Sequence, residues 1–306
     1  MHRRTFIRQI GTTTLLAGSG LSPLLANTLG TKTTTLTILH TNDWHSRIEP
    51  FPQDGGRNAG MGGAERRANH LKALRQELDH VLLLDAGDIL QGTPYFNFYH
   101  GELEFKLMSA MGYDAATIGN HDFDGGLDNL AQQIEQHAAF KVLNANYGLD
   151  NTPLQPHLQP YQVFIRGDLR VGVFGVGIAL AGLVPAELYG ETQYNDPVAA
   201  ANRTAKLLKQ EEKCDLVICL SHLGLRYREE KISDVILARE SSDLDLIIGG
   251  HTHTFLDEPL VIKNKNDQSV LVNQVGWAGI LLGRIDVTFS QAKGKRCYTC
   301  ANEWVG

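Results

Sequence analysis

Five short apolar runs in this chain each end, within a residue or two, in side chains that titrate, hydrogen-bond or bind metal. Residues 35–40 lead into Thr41-Asn42-Asp43-Trp44-His45, and 80–84 into Asp85-Ala86-Gly87-Asp88. Residues 113–118 lead into Gly119-Asn120-His121-Asp122-Phe123-Asp124. Residues 215–220 lead into Ser221-His222-Leu223-Gly224, and 244–248 into Gly249-Gly250-His251-Thr252-His253. Apolar runs of this length between turn signals predict buried strands. Open α/β sheets place their chemistry in the crevice at the carboxyl ends of such strands. One such ending constrains little; five in one chain predict a single assembled metal site.

A chain of 306 residues can bury a full core as one large α/β domain, with two domains as the alternative. With 42% apolar and 20% charged residues it has a globular composition, which argues against global disorder. The net charge of −6 argues against a nucleic-acid partner.

The N-terminus carries Arg3-Arg4 followed by Thr5-Phe6-Ile7, and then a weakly apolar stretch from Ile10 to Ala26. That stretch is too short and too polar for a membrane span, so no stable membrane insertion is expected. The segment resembles a twin-arginine export signal, placed at residues 1–26, and predicts a periplasmic or otherwise exported protein. A catalytic domain is expected over 35–290, with a tail over 291–306.

Within that domain the patterning predicts helices at 64–78, 102–111, 127–137, 197–213 and 232–239. Asp196 and Pro197 form the start signal of the fourth. Further strands are expected at 140–145, 161–165, 170–176, 260–263, 270–275 and 283–289, with hairpin turns at 167–168 and 264–268. The Gly-rich stretch 55–63 lacks the Lys-Ser/Thr of a P-loop and reads as a mobile loop at the rim of the site. Cys214 and Cys219 are five apart around one strand, an odd offset that predicts opposite faces and no mutual bridge. Cys297 and Cys300 form a lone CxxC, open between a disulfide and two thiols.

The candidate metal ligands are Asp43, His45, Asp88, Asn120, His222, His251 and His253. Asp43 or Asp88 alone reads equally well as a loop or cap residue, Asn120 as a turn residue, and His222 as a buried hydrogen-bonded histidine. The set together does not. Imidazoles, carboxylates and one amide suit zinc, manganese or iron better than a thiolate-seeking metal. Seven donors exceed one ion and suit two divalent ions sharing a carboxylate.

Asp43-x-His45, Gly87-Asp88-x-x-Gln91-Gly92, Gly119-Asn120-His121-Asp122, His222 and Gly250-His251-x-His253 occur in the order of the calcineurin-like metallophosphoesterases, which the chain resembles over about residues 35–290. His40-Thr41-Asn42-Asp43 and Gly119 to Asp124 resemble the 5′-nucleotidase and UDP-sugar hydrolase branch. The resemblance implies a four-layer α/β/β/α sandwich of two mixed sheets flanked by helices. It implies one ion on Asp43, His45, Asp88 and His253, and a second on Asp88, Asn120, His222 and His251. His121 and Asp124 would be catalytic, His121 facing the phosphate and leaving oxygen and Asp124 orienting it.

The expected chemistry is hydrolysis of phosphomonoesters, 5′-nucleotides first, by hydroxide generated between the two ions. Cyclic-nucleotide phosphodiesterase and thiosulfohydrolase activities, or a non-catalytic exported binding protein, are the alternatives; the complete donor set speaks against the last. In two-domain 5′-nucleotidases a second domain supplies the nucleoside pocket. Residues 1–306 contain no such block after 283–289, so the expectation is either a broad phosphoesterase or half of a split enzyme partnered by a separately encoded 5′-nucleotidase C-terminal domain.

Overall fold

The computed structural model describes residues 6–8, 33–290 and 295–305. Most of the expected export segment, including Arg3 and Arg4, therefore lies outside the described residues.

The strands form two large sheets. The first has the order β1 (Phe6–Arg8), β16 (Lys295–Trp304), β15 (Leu281–Ser290), β2 (Thr33–Thr41), β3 (Val81–Asp85), β4 (Ala115–Ala116), β5 (Lys141–Leu143) and β7 (Leu158–Gln159). The second runs β13 (Leu260–Lys263), β14 (Ser269–Asn273), β12 (Leu246–Gly249), β11 (Leu216–His222), β9 (Leu169–Gly177) and β8 (Tyr161–Arg166). Strands β6 (Tyr147–Gly148) and β10 (Gln193–Tyr194) pair separately. The helices are α1 (Ala64–Glu77), α2 (Pro94–Tyr99), α3 (Glu102–Met111), α4 (Leu127–His137), α5 (Ala186–Tyr189), α6 (Pro197–Gln210) and α7 (Asp234–Glu240).

Side-chain alternation builds the layers. In β2, Leu36 and Ile38 face the second sheet while Leu39 faces helices; in β3, Leu82 and Leu84 face inward and Leu83 outward. Strand β11 mirrors this, with Leu216, Ile218 and Leu220 meeting the first sheet while Val217 and Cys219 meet α6 and α7. Strands with apolar residues on both faces must be covered on both. The first sheet is covered by α1, α3 and α4, the second by α6 and α7. The result is the expected α/β/β/α sandwich.

The strands that carry the site run parallel: β2, β3 and β4 in one sheet, β11 and β12 in the other. Parallel pairing sends their carboxyl ends to the same edge. Between the sheets, the fully buried His40 accepts a hydrogen bond from Asn273 Nδ2 at 2.9 Å. Burial pushes its imidazole down to about 3, so it bridges the layers as a neutral group.

Several expectations need correction. The run 113–118 gives only the two-residue β4, although its flanks still reach β3, the Asp114 N–H donating to the Leu83 carbonyl and the Thr117 N–H to the Asp85 carbonyl. Residues after 290, expected as a tail, include β16, which pairs with β15 over ten positions. Helix α7 starts two residues late because Ser233 caps it, accepting from the Ile236 N–H. Cys214 and Cys219 pack in the same outer cluster rather than on opposite faces, since Cys214 precedes β11 and escapes its alternation. All four cysteines are free thiols, Cys297 and Cys300 lying on β16 opposite Thr288 and Ile285. The rim loop is bonded to itself, the Phe51 N–H to the Met61 carbonyl and the Gly60 N–H to the Phe51 carbonyl.

Candidate metal centre

The expected ligands follow strands at the shared carboxyl edge, and six of the seven form two clusters, all but Asn120. Asp43 and His45 follow β2, Asp88 follows β3, and Asn120 follows β4. His222 ends β11, and His251 and His253 follow β12. The donor atoms of Asp43, His45 and His253 all lie within 4.8 Å of one another, as do those of Asp88, His222 and His251. His45 Nε2 stands 2.9 Å from His253 Nε2 and 3.9 Å from Asp43 Oδ1. Asp88 Oδ2 is 3.8 Å from His45 Nε2 and 3.0 Å from His222 Nε2, so one carboxylate oxygen faces both groups.

The backbone reaches this geometry through left-handed turns. Asp43, His45, Asp88, His251 and His253 all have positive φ, between 50° and 72°. Each turn is held by neighbouring peptides. The N–H groups of Asp43, His45 and Ser46 donate to the carbonyls of Gly87, Asp88 and Ile89. Two glycines leave room for the donors. A Cβ on Gly119 would lie 2.2 Å from Asp88 Oδ1, and one on Gly250 would lie 2.9 Å from His222 Nδ1.

Outer contacts orient the rings. His45 Nδ1 donates to the Gln91 carbonyl at 3.1 Å, and His222 Nδ1 to the Ala86 carbonyl at 2.7 Å. A carbonyl only accepts, so Nδ1 carries the hydrogen and Nε2 turns to the centre. Asp43 takes the His251 N–H on Oδ1 at 2.9 Å and the Asn42 amide on Oδ2 at 2.6 Å. Trp44, between the two ligands of its loop, is buried with the Arg67 guanidinium 4.0 Å from its ring.

Asn120 Oδ1 and His251 Nδ1 are buried and find no hydrogen-bond partner, and His222 Nε2 meets only the Asp88 carboxylate, at 3.0 Å. Buried polar atoms left unsatisfied are costly. Two imidazoles within 4.8 Å of a carboxylate, with an unpartnered amide oxygen on the neighbouring loop, are the donor types of a cation site, so these residues fit a divalent metal.

Without an ion, the charge sits on a pair. Burial opposes ionisation of both Asp88 and His222, but their mutual attraction wins, holding Asp88 well below the carboxylate range and lifting His222 to about 10. Burial and the neighbouring His222 charge push His251 down to about 4, and burial also lowers His45.

His121 joins neither cluster. It lies in a single 3₁₀ turn, His121–Phe123, with its ring edge-on to His45 at 5.3 Å. Its Nδ1 pairs with Asp124 Oδ2 at 2.8 Å, and this hydrogen bond raises its pKa. Its side chain is 37% exposed, the access a group acting on substrate needs.

Three contributors were not anticipated. Asp122 accepts four backbone N–H groups, from Asp88, Ile89, Leu90 and Gly119, tying the loops after β3 and β4 together. Asp234 takes the Ser221 hydroxyl at 2.5 Å beside His222. Trp277 stacks on His253. The only sequence signal was for Asp122, its place directly after Asn120-His121.

The calcineurin-like phosphoesterase profile matches residues 36–255. A snake venom 5′-nucleotidase from Gloydius brevicauda is 34% identical over 83% of this chain and 45% of its own. A 5′-nucleotidase from Vibrio vulnificus is 35% identical over 83% of this chain and 49% of its own. Among solved structures, a 5′-nucleotidase precursor from Thermus thermophilus superposes with a TM-score of 0.78 at 33% identity, over 89% of this chain and 54% of that one. The chain thus spans about half the length of these relatives. A hydrolase fold, a profile covering most of its residues and a donor set at the expected edge lead to one conclusion: this chain belongs to the calcineurin-like phosphoesterase family.

Proposed function

We propose that the chain hydrolyses phosphomonoesters, 5′-nucleotides foremost, with two divalent ions held by the seven candidate donors. Asp43, His45 and His253 hold one, Asn120, His222 and His251 the other, and Asp88 is shared. The observation that carries this reading is the position of Asp88 Oδ2, facing His45 on one side and His222 on the other. Zinc, manganese and iron suit this mixture of imidazole, carboxylate and amide. When bound, such ions offset phosphate charge and lower the pKa of water.

The chain's own groups do the rest. Asp122 keeps the Asp88 and Asn120 loops in register through its four accepted N–H bonds. His121, protonated and steadied at Nδ1 by Asp124, presents Nε2 to the leaving oxygen and gives it a proton. Nucleotides are proposed because the relatives are named 5′-nucleotidases at 33–35% identity. The nucleoside grip is proposed to come from a nucleotidase C-terminal domain. Export through Arg3 and Arg4 belongs to the same reading.

Steady-state kinetics on residues 1–306 with an aryl phosphate and with AMP, before and after chelation, test it. Comparable kcat/KM for the two, lost on chelation and restored by manganese or zinc, is the expected result. Addition of a nucleotidase C-terminal domain should lower KM for AMP more than for the aryl ester. Failure to hydrolyse either ester with any of the three metals overturns the proposal. A strong preference for AMP that disappears with its base places nucleoside recognition inside this chain.

A further inference from the structure

His253 is held differently from His45, the other imidazole of its cluster, and from His222. Its side chain is 39% exposed and its backbone is left-handed at φ 50°. His45 and His222 are each fixed by a backbone carbonyl on Nδ1. Among the described residues no hydrogen bond reaches Nδ1 of His253. An imidazole without such an anchor turns about χ2 and aims its lone pair away from the cluster for part of the time. The fraction of correctly aimed rings enters metal affinity directly, as any binding-competent fraction does.

What meets the His253 ring is Trp277. The two rings lie 5.4 Å apart, centroid to centroid, with planes only 4° apart. The same indole meets His45 edge-on at 6.4 Å and Phe51 edge-on at 5.7 Å. Its peptide is bonded to both ligand loops. The Gly276 N–H donates to the Thr254 carbonyl at 2.9 Å, and the Ala278 N–H to the Asp43 carbonyl at 2.7 Å. Asn42, next to Asp43, donates from Nδ2 to the Gly276 carbonyl at 2.5 Å and accepts the Val275 N–H at 3.0 Å. The plane of the indole is therefore set by the same peptides that set Asp43 and His253.

We propose that Trp277 is a positioning residue for the ion shared by Asp43, His45 and His253, clamping the His253 ring by face-to-face stacking where a hydrogen bond would otherwise orient it. The proposal rests on the two-ion reading above. Stacking confines rotation about χ2 because turning the imidazole out of plane gives up the contact. The edge contact with His45 lets one indole brace two rings of the same cluster. The clamp touches none of Asn120, His222 and His251, so its effect falls on the ion that these three do not hold.

The test uses the full chain stripped with a chelator and titrated with Mn²⁺ alone, by calorimetry, with bound ions counted by mass spectrometry. Trp277→Leu keeps bulk but no ring face, and Trp277→Phe keeps a ring face. In Trp277→Leu one ion should bind as in the wild type while the other weakens about 10- to 100-fold, the range for loss of an outer-shell contact. Trp277→Phe should recover most of that loss, and metal-free melting temperatures should stay near the wild type. Unchanged binding of both ions by Trp277→Leu overturns the assignment, as does a Phe variant as weak as the Leu variant. Loss of both ions together with a lowered metal-free melting temperature does so too, since the residue then serves the fold. Wild-type stoichiometry judges the two-ion reading separately: a chain that binds one ion refutes it, and the Trp277 assignment then follows from whether that ion weakens in Trp277→Leu.

Discussion

The hydrogen bond from Nδ1 to Asp124, with Asp88 nearby, raises the pKa of His121 against the opposing effect of burial. His121 is outside both donor clusters, so binding and chemistry are separable at this residue. His121→Ala should retain the wild-type metal content while kcat falls roughly 10²- to 10⁴-fold, the usual scale for a general acid. Metal analysis beside single-turnover kinetics checks both halves, and an emptied metal cluster in the variant would sink the role. The clustered donors were legible in the sequence. Metal chemistry demands particular residue types, and each falls directly after an apolar run. Asp122 and Trp277 were not legible as contributors. What defines them is which N–H groups or which ring the folded chain brings within reach, and an aspartate or a tryptophan in a loop announces neither.

Among the elements, β11, α7 and β12 share one buried carboxyl. Asp234 begins α7, takes the Ser221 hydroxyl of β11, and lies so close to β12 that a Cβ on Gly249 would be 2.1 Å from Oδ2. Burial raises its pKa from 3.8 to about 8. A carboxyl whose folded value lies above its unfolded value favours folding fully below the unfolded value. That contribution declines as pH rises from about 4 towards about 8, since the unfolded chain releases its proton first. Asp234→Asn removes the titration and keeps the shape. Its melting temperature, measured without metal, should fall less than that of the wild type between about pH 5 and about pH 8. Parallel curves would show that Asp234 does not carry this pH dependence. The elements were legible where alternation or capping was strong, as in β2, β11 and the Asp196–Pro197 start of α6. Sequence missed α2, a six-residue helix whose Phe98 is 78% exposed, because it buries too little to show a period. It overextended β4 because apolar character alone does not reveal where a ladder ends.

For the molecule as a whole, the centre exists only after the two sheets have packed, since its donors run from Asp43 in one to His253 in the other. A twin-arginine route would carry the chain across the membrane already folded, as the proposed export of this protein requires. Replacing both Arg3 and Arg4 with Lys should leave the protein in the cytoplasm, read by fractionation; normal periplasmic recovery would remove the export proposal. Among the described residues no helix is long and apolar enough to cross a membrane. The α/β/β/α layering was legible through the family resemblance, and strands apolar on both faces account for it, since they have few ways to be covered.

Five of the six clustered donors sit on left-handed backbone. For a residue other than glycine such a conformation costs of order 1 kcal/mol or more. Glycine would occupy the same positions at ease, so the polypeptide is more comfortable without the side chains that do its work. Breeding this protein for heat resistance alone, with no demand on catalysis, would therefore erode its centre: Asp43, His45, Asp88, His251 and His253 are where stability and usefulness pull in opposite directions.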